Sequence, residues 1–309
     1  MTAAPVALGC THRVFGRGQL WLGDCLDVLR HLRRTSSVRF DLAYVDPPFN
    51  TGRVHSARMG GGRRESGSAA YDDSWGGVTG FLAMLEPRLE SLAELAAPTS
   101  SIWIHLDHRT VHDTKVLADR LLGREAFAGE FIWVPGNGAR RRVGPSVTHQ
   151  TLLVYAPHGS MIWNGDDPML REPYADTSLR MHFSNEDAEG RRYRERQIAG
   201  KTYRYYAEAG RRLGSVWSDC PAMRANTPLV RESTGYPTQK PEKLLERIVR
   251  AASAAESLVI DPMCGSGTTG AVAARLGRPF IGIDRSPVAH EVASERLGRF
   301  SRAPTGTGG

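Results

Sequence analysis

Short apolar runs alternate with helical periodicity over most of the chain. Leu20-Trp21-Leu22 is a strand candidate that stops at Gly23-Asp24, and Leu26, Leu29 and Leu32 then recur as one face of a helix would. Residues 41–45 (DLAYV) read as a buried strand that runs into Asp46-Pro47-Pro48, where proline, lacking an N–H, ends any ladder. Residues 50–75 hold little apolar material and much Gly, Ser and Arg, the composition of a mobile loop. Helical spacing returns at 81–95, a strand at 101–106, a helix at 108–122 and two further strands at 127–134 and 151–155. From 157 to 236 the pattern degrades into a polar stretch rich in Arg and Tyr. Order resumes with helix 241–252, strand 258–261, helix 268–276, strand 280–284 and helix 287–300, and residues 301–309 form a tail expected to be disordered. Strands alternating with helices predict an α/β fold with a mostly parallel sheet.

At 309 residues and 40% hydrophobic content the chain can bury one large core, or one core and a smaller lobe. No apolar run is long enough to span a membrane, and residues 1–18 lack the pattern of a secretory signal. The four cysteines, Cys10, Cys25, Cys220 and Cys264, contain no CxxC pair. Neither a disulfide framework nor a structural zinc site is expected, and a cytoplasmic location is. The net charge of +7 fits either an arginine-rich surface or a polyanionic partner, so placement of the arginines must decide.

Two turns carry chemistry. Residues 258–261 lead into Pro262-Met263-Cys264-Gly265-Ser266-Gly267-Thr268-Thr269-Gly270, a glycine-rich strand-to-helix turn, and Asp284 closes the next strand about 20 residues on, a suitable partner for ribose hydroxyls. Alone this fits a dinucleotide or an adenosylmethionine. Asp261 tips the balance: a carboxylate there would repel a pyrophosphate but tolerates a cationic sulfonium ligand. Gly267 is expected to face that ligand, so a branched side chain there should displace it. The second turn is Asp46-Pro47-Pro48-Phe49. A carboxylate and a prolyl carbonyl can accept both hydrogens of one planar NH2 group, localising its lone pair, while Phe49 stacks on the attached base. Such a base must first leave its duplex. The bland alternatives are a rigid turn at each place with no ligand at all.

Together these motifs resemble the beta group of amino-directed DNA methyltransferases of bacterial restriction-modification systems. The match covers most of the chain: Leu22-Gly23-Asp24, Tyr44 to Gly52, Tyr71-Asp72-Asp73-Ser74-Trp75, Gly235-Tyr236-Pro237-Thr238-Gln239-Lys240-Pro241 and the Asp261 turn, with the catalytic turn before the cofactor turn. Met263 departs from the group, standing where many relatives have Phe, and its similar apolar bulk predicts little effect. The resemblance implies a Rossmann-like, seven-stranded mixed sheet of the class I S-adenosylmethionine-dependent methyltransferases with an inserted target-recognition region. It divides the chain into a catalytic half (1–156), a recognition region (157–236) and a cofactor half (237–300). It implies catalysis at Asp46, Pro47, Pro48 and Phe49. S-adenosylmethionine contacts would come from Asp24, Cys25, Thr238, Gln239, Lys240, Asp261, Pro262, Cys264, Gly265, Gly267, Thr268, Thr269 and Asp284. The implied partners are double-stranded DNA, a second copy of the chain (with the 81–95 helix a plausible contact) and a cognate restriction endonuclease. Asp at the catalytic turn favours adenine N6 over cytosine N4.

The arginines fit a recognition region. Arg140, Arg141, Arg142, Arg191, Arg192, Arg194 and Arg204 are the expected DNA contacts, interleaved with Tyr174, Tyr193, Tyr203, Tyr205 and Tyr206, although the intervening glutamates also fit ordinary surface ion pairs. His105, His108 and His112 include one i, i+4 pair, but no third ligand is in view, so no metal is expected, and Asp107 reads as a helix N-cap. A nicotinamide-dependent oxidoreductase would leave the Asp-Pro-Pro-Phe turn unexplained. An RNA or protein-glutamine methyltransferase, which can share such a turn, is the nearer alternative; a DNA-binding protein without catalysis fits least.

Overall fold

The computed structural model describes residues 9–52, 54–57, 68–136, 142–223 and 232–301. They fall into two compact units, one within Met1–Trp163 and Val216–Gly309, the other Asn164–Ser215. In chain order the first unit contributes β1 (Thr11–Phe15), β2 (Gly18–Leu22), α1 (Cys25–Thr35), β3 (Phe40–Val45), β4 (Val54–Ala57), β5 (Ser68–Asp72), α2 (Val78–Leu95), β6 (Ala96–Leu106), α3 (Val111–Leu122), β7 (Phe127–Trp133) and β8 (Gln150–Tyr155). The second unit follows with β9 (Arg171–Glu172), α4 (Asp176–His182), β10 (Asn185–Glu186), β11 (Arg192–Ile198), β12 (Lys201–Tyr206) and β13 (Arg211–Arg212). The first resumes with β14 (Val216–Trp217), α5 (Glu242–Ala252), β15 (Val259–Asp261), α6 (Thr268–Arg275), β16 (Phe280–Asp284) and α7 (Pro287–Ser301).

The first unit is built on a nine-stranded mixed sheet in the order β1-β2-β16-β15-β3-β6-β8-β7-β14. Strands β2, β16, β15, β3 and β6 run parallel, and β8 then turns antiparallel to β6 and β7. The strands from β2 to β7 make the expected seven-stranded mixed sheet; β1 and β14 extend its two edges. β1 escapes sequence analysis because it is an edge strand with exposed positions such as Val14, 65% accessible, and so lacks a clear apolar alternation. Central strands read as continuous apolar runs because helices cover both faces: five of the six residues of β3 are buried.

α1 begins where Asp24 accepts a hydrogen bond from the Leu26 N–H at 2.8 Å, and it buries Val28, Leu29 and Leu32. α2 sinks Phe81, Leu85, Leu89, Leu92 and Leu95 into the same core. α3 starts at Val111, after Thr110, so Asp107 is not its N-cap; it accepts from the Arg109 N–H in the turn before the helix. Within the stretch read as a loop, β4 and β5 pair antiparallel. Its Ser- and Gly-rich composition hid the ribbon, because an isolated hairpin carries little apolar pattern.

The second unit is likewise more ordered than its polar sequence predicts, with a three-stranded antiparallel sheet β10-β11-β12 and a short β9–β13 pair. Its buried hydrophobics among the described residues are Leu170 and Phe183. It spans 164–215, and Val216 and Trp217 belong to the main sheet beside β7.

Candidate active site

Five parallel strands end on one edge of the sheet, and each carries an aspartate at or just past its end: Asp24 after β2, Asp284 in β16, Asp261 in β15, Asp46 after β3 and Asp107 after β6. Ligand sites of open α/β sheets lie off this edge. A pocket enclosing about 1110 Å³, its open mouth included, lies there, and Asp24, Asp46, Asp261 and Asp284 line it.

Asp46 is held by the strand end behind it and by Pro47-Pro48 ahead. Lys240 Nζ donates to its Oδ2 at 2.5 Å and lies 4.9 Å from the centre of the Phe49 ring. Burial pushes the Asp46 carboxyl up, and the Lys240 ammonium pulls it back. Asp46 Oδ1 has no hydrogen-bond partner among the described residues. The turn is fixed from below by Asp73, which is 1% exposed. Its carboxylate accepts from the Asn50 N–H at 2.7 Å, the Thr51 N–H at 3.0 Å and the Thr51 hydroxyl at 2.6 Å. Asn50, at φ +55°, needs that support, since a non-glycine residue is strained there.

Under Phe49 lies a chain that sequence analysis did not anticipate. The Tyr44 hydroxyl donates to His105 Nδ1, and His105 Nε2–H donates to Gln150 Oε1, both at 2.6 Å. Burial, and then the Lys240 charge, hold the His105 imidazolium well below its ordinary pKa, so the ring is neutral. It packs against the rings of Phe49 and Trp133. His105 thus braces the Asp46-Pro47-Pro48-Phe49 turn.

The glycine turn between β15 and α6 is tied to two strand ends. Asp261 accepts from the Met263 N–H at 3.1 Å and the Thr269 hydroxyl at 2.6 Å, and burial pushes its carboxyl up to about 7. Asp284 accepts from the Gly265 N–H and the Ser286 N–H, each at 2.8 Å. Gly265 has φ +49°, and a Cβ there would come within 3.2 Å of the Tyr236 ring, so bare backbone forms this wall of the pocket. Gly267, also left-handed at φ +71°, is not on the wall. A Cβ there would meet Ala293 of α7 at 2.8 Å, so its bare backbone lets α6 approach α7, and Gly265 is the one of the two that lines the pocket.

The remaining expected residues gather at the same pocket with more specific tasks. Arg88, from α2, clamps Asp24 through two bonds of 2.9 and 2.7 Å and donates to Cys25 Sγ. Thr238, at φ +58°, shares a 3.1 Å hydroxyl contact with Tyr71, while Gln239 holds its own loop by accepting from Thr234 and donating to the Glu232 carbonyl. The Thr268 hydroxyl accepts from Arg296 at 2.9 Å. Pro262 and Cys264 line the pocket as expected. Arg88, Asp73 and Tyr71 are among the wall residues to which sequence reasoning gave no site role. The acid pair in Tyr71-Asp72-Asp73-Ser74-Trp75 was the available signal for Asp73.

A profile described as DNA methylase, of the N6/N4 class, matches residues 40–295. The chain belongs to this DNA methylase family. Among curated proteins it is similar to Type II methyltransferase M.EcaI of Enterobacter cloacae, 28% identical over 86% of this chain and 66% of that protein. It is also similar to M.HinfI of Haemophilus influenzae, 25% identical over 91% of this chain and 68% of that one. The chain thus spans about two thirds of the length of these relatives. A 90-residue stretch is 40% identical to M2.LlaDCHI of Lactococcus lactis subsp. cremoris and covers 32% of it. Among solved structures, the M1.HpyAVI–SAM complex aligns with TM-score 0.54 at 19% identity, covering 90% of this chain and 98% of that one. The cytosine-N4-specific PvuII DNA methyltransferase aligns at 0.53 and 16%, covering 93% and 96%. At these identities the two structures speak to the fold, and both share it.

The arginines expected to touch DNA fall into three sets. Arg140 and Arg141 lie outside the described residues; Arg142 is exposed. Arg191 is paired with Asp187 at 2.8 Å, Arg204 with Glu195 at 3.1 Å, and Arg192 donates to the Phe183 and Leu179 carbonyls. Those three are spent on the second unit's own structure. Among the described residues Arg194 has no ion pair, and it lies over aromatic rings.

Proposed function

We propose that the protein is a site-specific, S-adenosylmethionine-dependent DNA methyltransferase that modifies an exocyclic amino group, adenine N6 in preference to cytosine N4. The observation that carries this is the pairing, at the ends of adjacent parallel strands, of the Asp46-Pro-Pro-Phe turn and the Asp261 glycine turn around one pocket.

The pocket suits S-adenosylmethionine. Three carboxyl groups, buried Asp261 and half-buried Asp46 and Asp284, line it, an acidic wall that suits a cation better than a pyrophosphate, while Gly265 leaves backbone open to a close-lying ligand. Asp261 with the Pro262–Thr269 turn, Asp284, Asp24–Cys25 and Thr238–Lys240 would hold it. When bound it supplies an electrophilic methyl group on a sulfonium. Asp46 does the orienting. Its open Oδ1 accepts one N–H of the target amine, fixing the nitrogen's lone pair in direction, and this bond strengthens as the nitrogen gains positive charge. Lys240, on Oδ2, keeps the carboxylate ionised despite its burial. Phe49, braced by His105, offers its face to the flipped base. Asp at the catalytic turn supports adenine. Self-association and a partner nuclease go with this function as further proposals, as does DNA recognition by the second unit.

The test is transfer of labelled methyl from S-adenosylmethionine to duplex DNA, with RNA and protein acceptors in parallel. Label in DNA is expected; label in RNA or protein alone, or a cofactor bound without transfer, overturns the assignment.

A further inference from the structure

The β11–β12 hairpin of the second unit has two unlike faces. Cross-strand partners share a face. One face pairs Tyr193 with Tyr206, Glu195 with Arg204 and Gln197 with Thr202; the other pairs Arg194 with Tyr205, Arg196 with Tyr203 and Ile198 with Lys201.

The first face is satisfied internally. Arg204 pairs with Glu195 and lies 4.1 Å over the Tyr193 ring. Arg191 pairs with Asp187 and Glu189 and lies 4.5 Å over Tyr206. Arg204 has its acid across the strand, and Arg191 has its acids in the turn that leads into β11.

The second face carries no carboxylate on either β11 or β12. At its base Arg194 packs over Tyr174, Phe183 and Tyr205 at 5.1–5.7 Å, joining the small core of the unit. Beyond it the face is open. Tyr203 is 45% and Ile198 49% exposed, and among the described residues neither Arg196 nor Lys201 pairs with an acid. The strands are joined by Ala199 and Gly200, at φ +49° and +76°, a tight two-residue connection that sets Ile198 and Lys201 side by side at the tip. Two cations, an aromatic ring and an aliphatic tip on a narrow ribbon complement one kind of surface. A two-stranded ribbon fits a major groove, where cations meet phosphates and guanine edges and an aliphatic group meets a thymine methyl.

We propose that the distal part of this face, Arg196, Ile198, Lys201 and Tyr203, enters a groove of duplex DNA, while the opposite, ion-paired face stays outside the interface. This rests on the proposed DNA methyltransferase function and names its recognition element. The hairpin displaces Arg191, Arg192 and Arg204 from the contacts expected of them and puts Arg196, Lys201 and Tyr203 in their place.

The experiment uses the full-length chain and its preferred duplex, with wild type, Arg196→Ala, Tyr203→Ala, Lys201→Ala and Arg204→Ala compared at several salt concentrations. Circular dichroism and S-adenosylmethionine binding serve as folding controls. Arg196→Ala and Tyr203→Ala should weaken duplex binding at least about tenfold and lower kcat/KM for DNA in step, with cofactor affinity unchanged. Lys201→Ala should flatten the dependence of log affinity on log salt by about one unit. Arg204→Ala should stay within about twofold of wild type. If wild type methylates DNA and the Arg196 and Tyr203 variants match it, or Arg204→Ala is equally impaired, the proposal falls. If wild type transfers no methyl to DNA, the proposed function itself fails. Equal loss on duplex DNA and on an acidic polymer such as heparin would reduce the face to a general polyanion surface and overturn groove entry.

Discussion

Two Asp-Pro turns end neighbouring parallel strands, and they hold their carboxylates in different ways. Asp46, after β3, has an ammonium group 2.5 Å from one oxygen and nothing bonded to the other among the described residues. Asp261, at the end of β15, has no ammonium partner; a backbone N–H and a threonine hydroxyl occupy its two oxygens. Both are pushed up by burial, but Lys240 counters the effect at Asp46, whereas hydrogen bonds leave Asp261 at about 7. The difference teaches that the dipeptide supplies only position. The neighbours decide whether the acid is an ionised acceptor with a free oxygen or a strut of its own turn.

The largest expected effect separates the two acids. Asp46→Ala should cut single-turnover methyl transfer by at least about 10³-fold while leaving S-adenosylmethionine affinity within about threefold, because its bond matters most as the amine becomes charged. Asp261→Asn should do the reverse, weakening cofactor binding about tenfold or more and keeping turnover within about tenfold once the cofactor saturates. Quenched-flow transfer and calorimetry measure the two quantities, and matching profiles for the two variants would erase the distinction.

Within the glycine turn, Gly265→Ala should weaken cofactor binding at least about tenfold with a modest change in Tm. Gly267→Ala should lower Tm by several degrees and alter the affinity of the folded protein less, since its Cβ collides with Ala293 rather than with the pocket. Thermal melts paired with binding titrations check both; a Gly267 variant of normal Tm that cannot bind would restore Gly267 to the pocket wall.

Lys240→Met sharpens the contrast by removing the cation that distinguishes Asp46. The Asp46 pKa should then rise, so the ionised fraction at pH 6 falls and the acid limb of the rate profile moves to higher pH, measured at saturating S-adenosylmethionine. An unmoved acid limb would mean that Lys240 does not set the charge of Asp46.

A further effect, read only through its pH dependence, is on stability. Asp261 is raised in the folded state, from 3.8 to about 7, so its contribution is fully present below pH 3.8 and is lost as pH rises through about 7. The loss is at most about 4 kcal/mol, the shift converted at ~1.4 kcal/mol per unit. Asp261→Asn, which cannot ionise, should therefore gain Tm relative to wild type between pH 5 and pH 8. A difference in Tm that stays constant over that range would place the folded-state Asp261 pKa below it, near the unfolded value.

Most of the first unit was legible in the sequence, because buried parallel strands are continuous apolar runs and the functional turns sit at their ends. β16 was placed at its observed bounds and α6, α7 and β15 within one residue. The edge strand β1, the β4–β5 ribbon and the second unit's sheet were not legible. They are held by backbone pairing and by stacked cations and rings, which leave no apolar period. In the site, every expected cofactor residue but Gly267 lines the pocket. Sequence could not reveal the bond from Lys240 to Asp46, 194 positions apart, nor the clamp of Arg88 on Asp24, because only the fold brings them together. Composition counts charges and not their partners: Arg191 and Arg204 have acids beside them, and among the described residues Arg196 does not.

The most direct measurement is nucleoside mass spectrometry of duplex DNA treated with wild type or Asp46→Ala in the presence of S-adenosylmethionine. N6-methyldeoxyadenosine produced by wild type and absent with Asp46→Ala is the predicted result. N4-methyldeoxycytidine would move the target base. No methylated base with wild type, or equal yields from both proteins, would contradict the account.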